Sequence, residues 1–345
     1  MAQDTLRGRF IWHELMTTDT GAAATFYQKV VGWNTQSWPQ DKSYTMLLAG
    51  KQPVAGLMAL PEDAKAMGTP PNWLSYIGTA DVDATSARLE KLGGKILRAA
   101  WNIPTVGRVA IAQDSQGAVF GLYAPETPMP ASNRPSLGEF SWHELATDDP
   151  ALALAFYQDL FGWEKTSSMD MSPEMGSYDM FGWSGVPMGG IFKRPPNVPA
   201  NWLPYAMVPD SKKVATTIAA LGAKVVNGPM EVPGGDWIVV GLDRQGATFA
   251  VHSMKPAAKP ARKAAAKKAT AVAKKAVAKT IAAKTVVVAR KVVKKTAKKA
   301  VKPARRAAAG KRSRRAKPAK AKPVKKSASR TGARRATKPK RKARR

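Results

Sequence analysis

Phe10 to Trp33 reads FIWHELMTTDTGAAATFYQKVVGW, and Phe140 to Trp163 reads FSWHELATDDPALALAFYQDLFGW. The second stretch begins 130 residues after the first and aligns with it without a gap. Trp12 meets Trp142, His13 meets His143, Glu14 meets Glu144, Phe26-Tyr27 meets Phe156-Tyr157, and Gly32-Trp33 meets Gly162-Trp163. So dense a match marks a duplicated unit, and the rest of the chain is read as two copies of it.

Within each copy the stretch is a strand followed by a helix. Residues 9–16 alternate and carry the β-favouring Phe10, Ile11 and Trp12. Thr18 or Asp19 can cap the following helix, which places Ala22, Phe26 and Val30 on one face before Gly32 ends it. In the second copy Asp149-Pro150 marks the start, because proline is well tolerated in a first helical turn. Apolar runs at 43–49 and 53–60 predict further strands, so the unit is βαβββ. After Thr69-Pro70-Pro71 the pattern restarts: a strand at 73–80, a helix at 81–94, and strands near 95–99, 106–112 and 117–123. At an offset of 129 the second copy repeats this, with NWLPYAMV at 201–208 and Asp243-Arg244-Gln245-Gly246 matching Asp114-Ser115-Gln116-Gly117. The expected class is therefore α+β, with four βαβββ modules in two domains, 8–125 and 138–254. A Pro-rich linker, 126–137, joins them, and a tail, 255–345, follows.

Charge is concentrated at one end. Of 56 Lys and Arg, 37 lie from Lys255 to Arg345, where there is no Asp or Glu. Residues 1–254 keep 19 basic against 24 acidic residues, about −5, so the overall +32 belongs to the tail. The absence of cysteine excludes disulfides and thiolate metal sites. No secretory-type apolar run opens the sequence and none approaches 18 apolar residues, so a cytoplasmic protein without a membrane span is expected.

The strand with W-H-E-L, the helix motif D-x-x-x-A-x-x-F-Y-x-x-x-x-G-W and the closing D-x-x-G-x-x-F resemble the vicinal oxygen chelate superfamily, in its tandem glyoxalase-like form. That superfamily includes glyoxalase I, bleomycin-resistance proteins and extradiol dioxygenases. The resemblance covers residues 8–254 and implies that the two modules of a domain surround one pocket, with helices outside. Metal-dependent members are expected to present ligands at four strand positions. Here these fall on Trp12 and Trp142, on Gly56 and Gly189-Gly190, on Leu74 and Leu203, and on Gly121 and Ala250. None of these side chains coordinates a metal, so no metal or other cofactor is expected. A strand register off by one residue would instead bring His13 and His143 to the metal position.

With Trp12 and Trp142 at the positions that the resemblance turns toward the pocket, His13 and His143 are one strand position away and are expected to pack, hydrogen-bonded, under the helices. By the same parity Trp12, Glu14, Tyr76, Tyr123, Trp142, Glu144, Tyr205 and His252 line a ligand pocket. A carboxylate among aromatics has its pKa raised by desolvation, as an acid, a base or a binder of cations requires. The alternative for Glu14 and Glu144 is a strand-end glutamate paired with an arginine such as Arg108 or Arg244. His252 stands where the first copy has Tyr123, so Glu144 and His252 are the candidate catalytic pair.

The tail is dominated by Lys, Ala, Arg, Pro, Val and Thr, without an aromatic residue, a composition that cannot bury a core and is expected to be disordered alone. It resembles the C-terminal tail of linker histones. Lys267, Lys268, Lys274, Lys275, Arg305, Arg306, Arg314 and Arg315 are candidate phosphate contacts. Without aromatics to stack, binding should be electrostatic and sequence-independent. The function expected is a small-molecule-binding glyoxalase-like protein without the usual metal, tethered to DNA or another polyanion and so nucleoid-associated. Two alternatives stand: a glyoxalase- or dioxygenase-type enzyme (lyase or oxidoreductase), and a structural nucleoid-associated protein. Pairing of two chains as a homodimer stays open.

Overall fold

The structure, a computed structural model, describes residues 6–127 and 134–255. The first copy runs β1 (Phe10–Thr17), α1 (Thr20–Val30), β2 (Asn34–Trp38), β3 (Asp41–Ala49), β4 (Gln52–Ala59), α2 (Glu62–Ala66), β5 (Asn72–Gly78), α3 (Val82–Lys91), β6 (Lys95–Ile103), β7 (Gly107–Gln113) and β8 (Val119–Pro125). The second runs β9 (Phe140–Thr147), α4 (Pro150–Phe161), β10 (Glu164–Ser172), β11 (Gly176–Trp183), β12 (Val186–Lys193), β13 (Asn201–Met207), α5 (Ser211–Ala220), β14 (Lys224–Glu231), β15 (Trp237–Leu242) and β16 (Thr248–Ser253). Each copy makes one eight-stranded sheet, β2-β3-β4-β1-β5-β8-β7-β6 and β10-β11-β12-β9-β13-β16-β15-β14. The fold is α+β, built of tandem βαβββ modules.

Within a sheet the two modules meet where β1 pairs antiparallel with β5, and β9 with β13. The W-H-E-L strands thus sit mid-sheet, also paired in parallel with β4 and β12. The strand directly after α1 has no apolar run to betray it in the sequence: β2 is polar and largely exposed. Asp19 caps α1 by accepting from the Ala22 amide at 2.9 Å, and Asp149 caps α4 at the Ala151 and Leu152 amides. Gly162 ends α4 at φ 81°, a left-handed position that glycine occupies without strain.

Two of the three cores are shared between the copies. One gathers Leu15, Phe26, Tyr27, Trp33 and Trp73 of the first copy with Val214, Ile218, Val239 and Phe249 of the second. The other joins Ile77, Leu89, Phe120 and Leu122 to Tyr157, Phe161, Trp163, Phe181 and Trp202. The first module of each sheet therefore buries its helix against the second module of the other sheet.

The repeated aromatics lock this arrangement. Tyr27 donates its hydroxyl to Asp243 at 3.1 Å, and Tyr157 donates to Asp114 at 3.0 Å. Each hydroxyl also accepts an indole N–H, from Trp73 and Trp202 respectively. Trp33 donates to the Gly138 carbonyl and Trp163 to the Gly8 carbonyl, both at 2.7 Å. Asp114 and Asp243 also each order their own turn, accepting the Gln116 and Ala118 amides or the Gln245, Gly246 and Ala247 amides. The F-Y pair and D-x-x-G are thus two halves of one contact, made across the copies.

Candidate functional site

His13 and His143 point into the junction between the sheets and are buried. Their Nε2 atoms lie 2.8 Å apart, and Phe140 stacks on His13 as Phe10 stacks on His143. Burial pushes both imidazoles down, His143 to about 3, because no charged partner offsets the loss of water. The pair is neutral at pH 7, and one ring donates to the other.

The opposite face of the first sheet, turned away from the helices, carries Trp12, Met16, Leu74, Tyr76, Val109, Ile111 and Tyr123 in one apolar cluster. Glu14 lies among them, half-buried. Its Oε2 accepts the Tyr76 hydroxyl at 2.7 Å and its Oε1 accepts the Tyr44 hydroxyl at 2.8 Å. Trp12 donates its indole N–H to the same Tyr44 oxygen at 3.0 Å. The second sheet repeats the network: Tyr205 and Tyr178 donate to Glu144 at 2.6 and 2.9 Å, and Trp142 donates to Tyr178 at 2.8 Å.

Loss of water raises both glutamates from the ordinary carboxylate range, although the two phenol donors pull the other way. The same burial, beside a carboxylate, drives Tyr44, Tyr76, Tyr178 and Tyr205 upward, so these phenols stay protonated. Tyr123 rises to about 12 through burial and donates to the Val106 carbonyl at 3.2 Å.

Glycine makes room for the network. Gly56 pairs with Glu14 across β1 and β4, and a Cβ there would collide with the Tyr44 hydroxyl and the ring carbon that bears it. Gly190 holds the same place against Tyr178. Gly121 likewise lies under Tyr76.

Trp12, Glu14 and Tyr76 are thus joined in one network with Tyr44, and Trp142, Glu144 and Tyr205 in another with Tyr178. Tyr123 stands edge-on to Tyr76 at 6.5 Å between ring centroids. His252 is held differently: Nδ1 lies 2.8 Å from the Ser141 hydroxyl and Nε2 lies 3.0 Å from Asp236. No hydrogen bond joins it to Glu144, whose two oxygens serve the tyrosines. The arginine partners considered for the glutamates are replaced by these phenols, since Arg108 binds Asp83 with both Nε and Nη2. Tyr44 and Tyr178 complete the two networks, and sequence parity missed them. Their signal was the repeated S-Y-x-M at 43–46 and 177–180. Lys267, Lys268, Lys274, Lys275, Arg305, Arg306, Arg314 and Arg315 lie outside the described residues. Among the described residues no group of three His, Cys, Asp or Glu converges, and no helix is long and apolar enough to cross a membrane.

Duplicated βαβββ modules, paired through a central strand that bears the site, define a glyoxalase-like protein. The chain belongs to the vicinal oxygen chelate superfamily, as its identity with a glyoxylase-named relative over nearly that relative's whole length shows. A family model described as bleomycin resistance protein-like N-terminal also matches residues 9–50. CFP32 of Mycobacterium tuberculosis, named as a glyoxylase, is 34% identical over 250 residues, 71% of this chain and 94% of the relative. DnrV of Streptomyces peucetius, named as an anthracycline biosynthesis protein, is 26% identical over 261 residues, 71% of this chain and 92% of the relative. Among solved structures, homoprotocatechuate 2,3-dioxygenase of Brevibacterium fuscum matches with a TM-score of 0.53 at 15% identity, over 72% of both chains. The 2,3-dioxygenase LapB of Pseudomonas sp. KL28 matches at 0.53 and 12% identity, over 74% of this chain and 96% of its own. These last two are likenesses of fold.

Proposed function

We propose that the chain binds a small organic molecule against the Glu–Tyr–Trp face of each sheet without a chelated metal, and that residues 255–345 hold it on nucleic acid. The observation that supports the first part is the double engagement of Glu14 and Glu144. Each sits among aromatic rings with one phenol hydroxyl on each oxygen. A divalent ion held by protein needs about three or more donors. The first face offers one carboxylate, already engaged, and phenols held in their protonated form, a donor set that does not fit. The same aromatic surfaces suit a flat or apolar ligand, in keeping with a relative named for anthracycline biosynthesis.

Elemental analysis of the purified chain tests the metal reading: stoichiometric Zn, Ni or Fe in each sheet overturns it. Ligand-induced changes in melting temperature test the binding reading, and their absence would favour a purely structural, nucleoid-associated protein. A second reading is an enzyme of the glyoxalase or dioxygenase type, favoured by the upward shift of both glutamates. A carboxyl poised in this way can exchange a proton with a bound substrate, through Glu144 or Glu14 rather than a direct Glu144–His252 bond. Under that reading Glu144→Gln together with Glu14→Gln abolishes turnover but retains ligand.

For the tail the support is the run of 37 Lys and Arg without an acid. Truncation after Met254 should abolish DNA binding, and binding by the full chain should weaken steeply with salt. An equal gel shift by the truncated chain refutes the tether. A cytoplasmic, nucleoid-bound location follows from the tether and falls with it. Sedimentation of the full chain separates a monomer from a homodimer.

A further inference from the structure

The two faces share the Glu–Tyr–Trp network but differ in what flanks it. Across the first sheet the paired positions Arg98, Ile111, Gly121, Tyr76 and Trp12 form one row. Across the second the row is Asn227, Val240, Ala250, Tyr205 and Trp142. Laterally paired residues share a face of a sheet, so Arg98 and Asn227 occupy equivalent places on the two candidate sites. Each stands just past a register shift, between Ile96 and Arg98 or between Val225 and Asn227.

Arg98 lies over the Trp101 ring, with its guanidinium carbon 3.8 Å from the centroid. Stacking orients a guanidinium while leaving its edge N–H groups free for a ligand. Arg98 is exposed, and among the described residues no carboxylate forms an ion pair with it. Its charge does reach Glu14 and Tyr76, which places it electrostatically in the same site. In the second sheet Met230 takes the place of Trp101, opposite Ile238 as Trp101 is opposite Val109. Asn227 is neutral and 9% exposed, and its buried Oδ1 has no hydrogen-bond partner. A buried acceptor without a donor is a place a ligand N–H or O–H can satisfy. Glu144 shares that face with Trp142, two residues along β9, and nothing in the row offsets a second negative charge.

We propose, resting on the binding reading above, that the sites are unequal. The first takes a flat molecule with an anionic group, carboxylate, phosphate or enolate, on Arg98. The second takes a neutral molecule that donates a hydrogen bond to Asn227. The duplication thus yields two specificities rather than two copies of one site.

The test uses the full chain, with 2-naphthoate and 2-naphthol as matched aromatic probes, followed by tryptophan fluorescence in salt sufficient to screen the C-terminal cations. Loss of a charge-assisted hydrogen bond predicts that Arg98→Gln weakens naphthoate about tenfold more than it weakens naphthol. Arg98→Lys restores part of the difference and controls for folding. Asn227→Leu weakens naphthol about fivefold more than naphthoate, by the same reasoning for a neutral bond. If Trp12→Ala and Trp142→Ala reduce binding but neither Arg98→Gln nor Asn227→Leu changes the preference between probes, the asymmetry is refuted and the binding faces stand. If neither probe binds the wild-type chain, or both tryptophan variants bind as it does, the binding reading falls as well.

Discussion

Replacement of Tyr157 by Phe removes one oxygen at the junction of the two copies and should be far costlier than its size suggests. The hydroxyl is fully buried, donates to Asp114 at 3.0 Å and accepts from the Trp202 indole at 3.0 Å. Without it Asp114, 4% exposed, loses a donor to its carboxylate, and the Trp202 N–H, 5% exposed as a residue, loses its acceptor. A hydrogen bond to a charged group contributes about 1.5–3 kcal/mol and an orphaned buried donor costs about 1–3 kcal/mol, so the change should destabilise by about 3 kcal/mol. For a folded part of this size that corresponds to a fall in melting temperature of about 6–12 °C. Asp114 keeps its amide donors from Gln116 and Ala118, which caps the loss. Thermal melts of the full chain at pH 7.5 measure it, and a cycle with Asp114→Asn isolates the pair. The loss should shrink as pH falls through the raised Asp114 pKa, because a protonated carboxyl depends less on the phenol donor. A Tyr157→Phe change under about 1 kcal/mol, or additive behaviour in the cycle, would refute the view that F-Y and D-x-x-G form an inter-copy clamp.

Three further outcomes follow from the same geometry. Gly190→Ala should displace the Tyr178 ring and destabilise by about 2–4 kcal/mol, whereas in a Tyr178→Ala background it should cost little; an equal cost in both would remove the reason given for that glycine. The histidine pair should make the fold acid-labile. The unfolded chain takes up protons near pH 6.5 while the folded His143 resists until about 3, so stability should fall as pH drops through that window. At pH 4.5 this is worth about 2–3 kcal/mol for His143, and a His13→Gln, His143→Gln variant should show a shallower acid slope in denaturant titrations. Glu144→Leu leaves the Tyr178 and Tyr205 hydroxyls without an acceptor and should cost about 2–4 kcal/mol, with Glu144→Gln costing less because the amide still accepts one of them. A melt that ranks Leu above Gln would contradict the network.

The fold and the face of the site were legible because both obey short periods. Caps at Asp19 and Asp149, the glycine after each helix and strand alternation are local signals, and the repeat doubled each of them. Parity alone put Glu14 with Tyr76 and set His13 on the other side of the same strand. It could not supply partners. Tyr44 reaches Glu14 from β3, across a glycine on the strand between, and Arg108 is drawn off to Asp83. Nor could it show that His13 and His143 touch each other, since their contact spans 130 residues and depends on how the sheets are placed.

The amino-acid sequence by itself determined the duplication, the α+β modules, the separation of a basic end from a mildly acidic folded part, and which residues share a strand face, because these follow from composition and from a side-chain period of two. Only the tertiary structure decided what W-H-E-L does in each copy. Its histidines meet in the buried junction between the two sheets, and its glutamates anchor phenol donors on the opposite faces. The division arises because one strand has two sides, and the packing of the second copy determines which side meets a partner and which meets water.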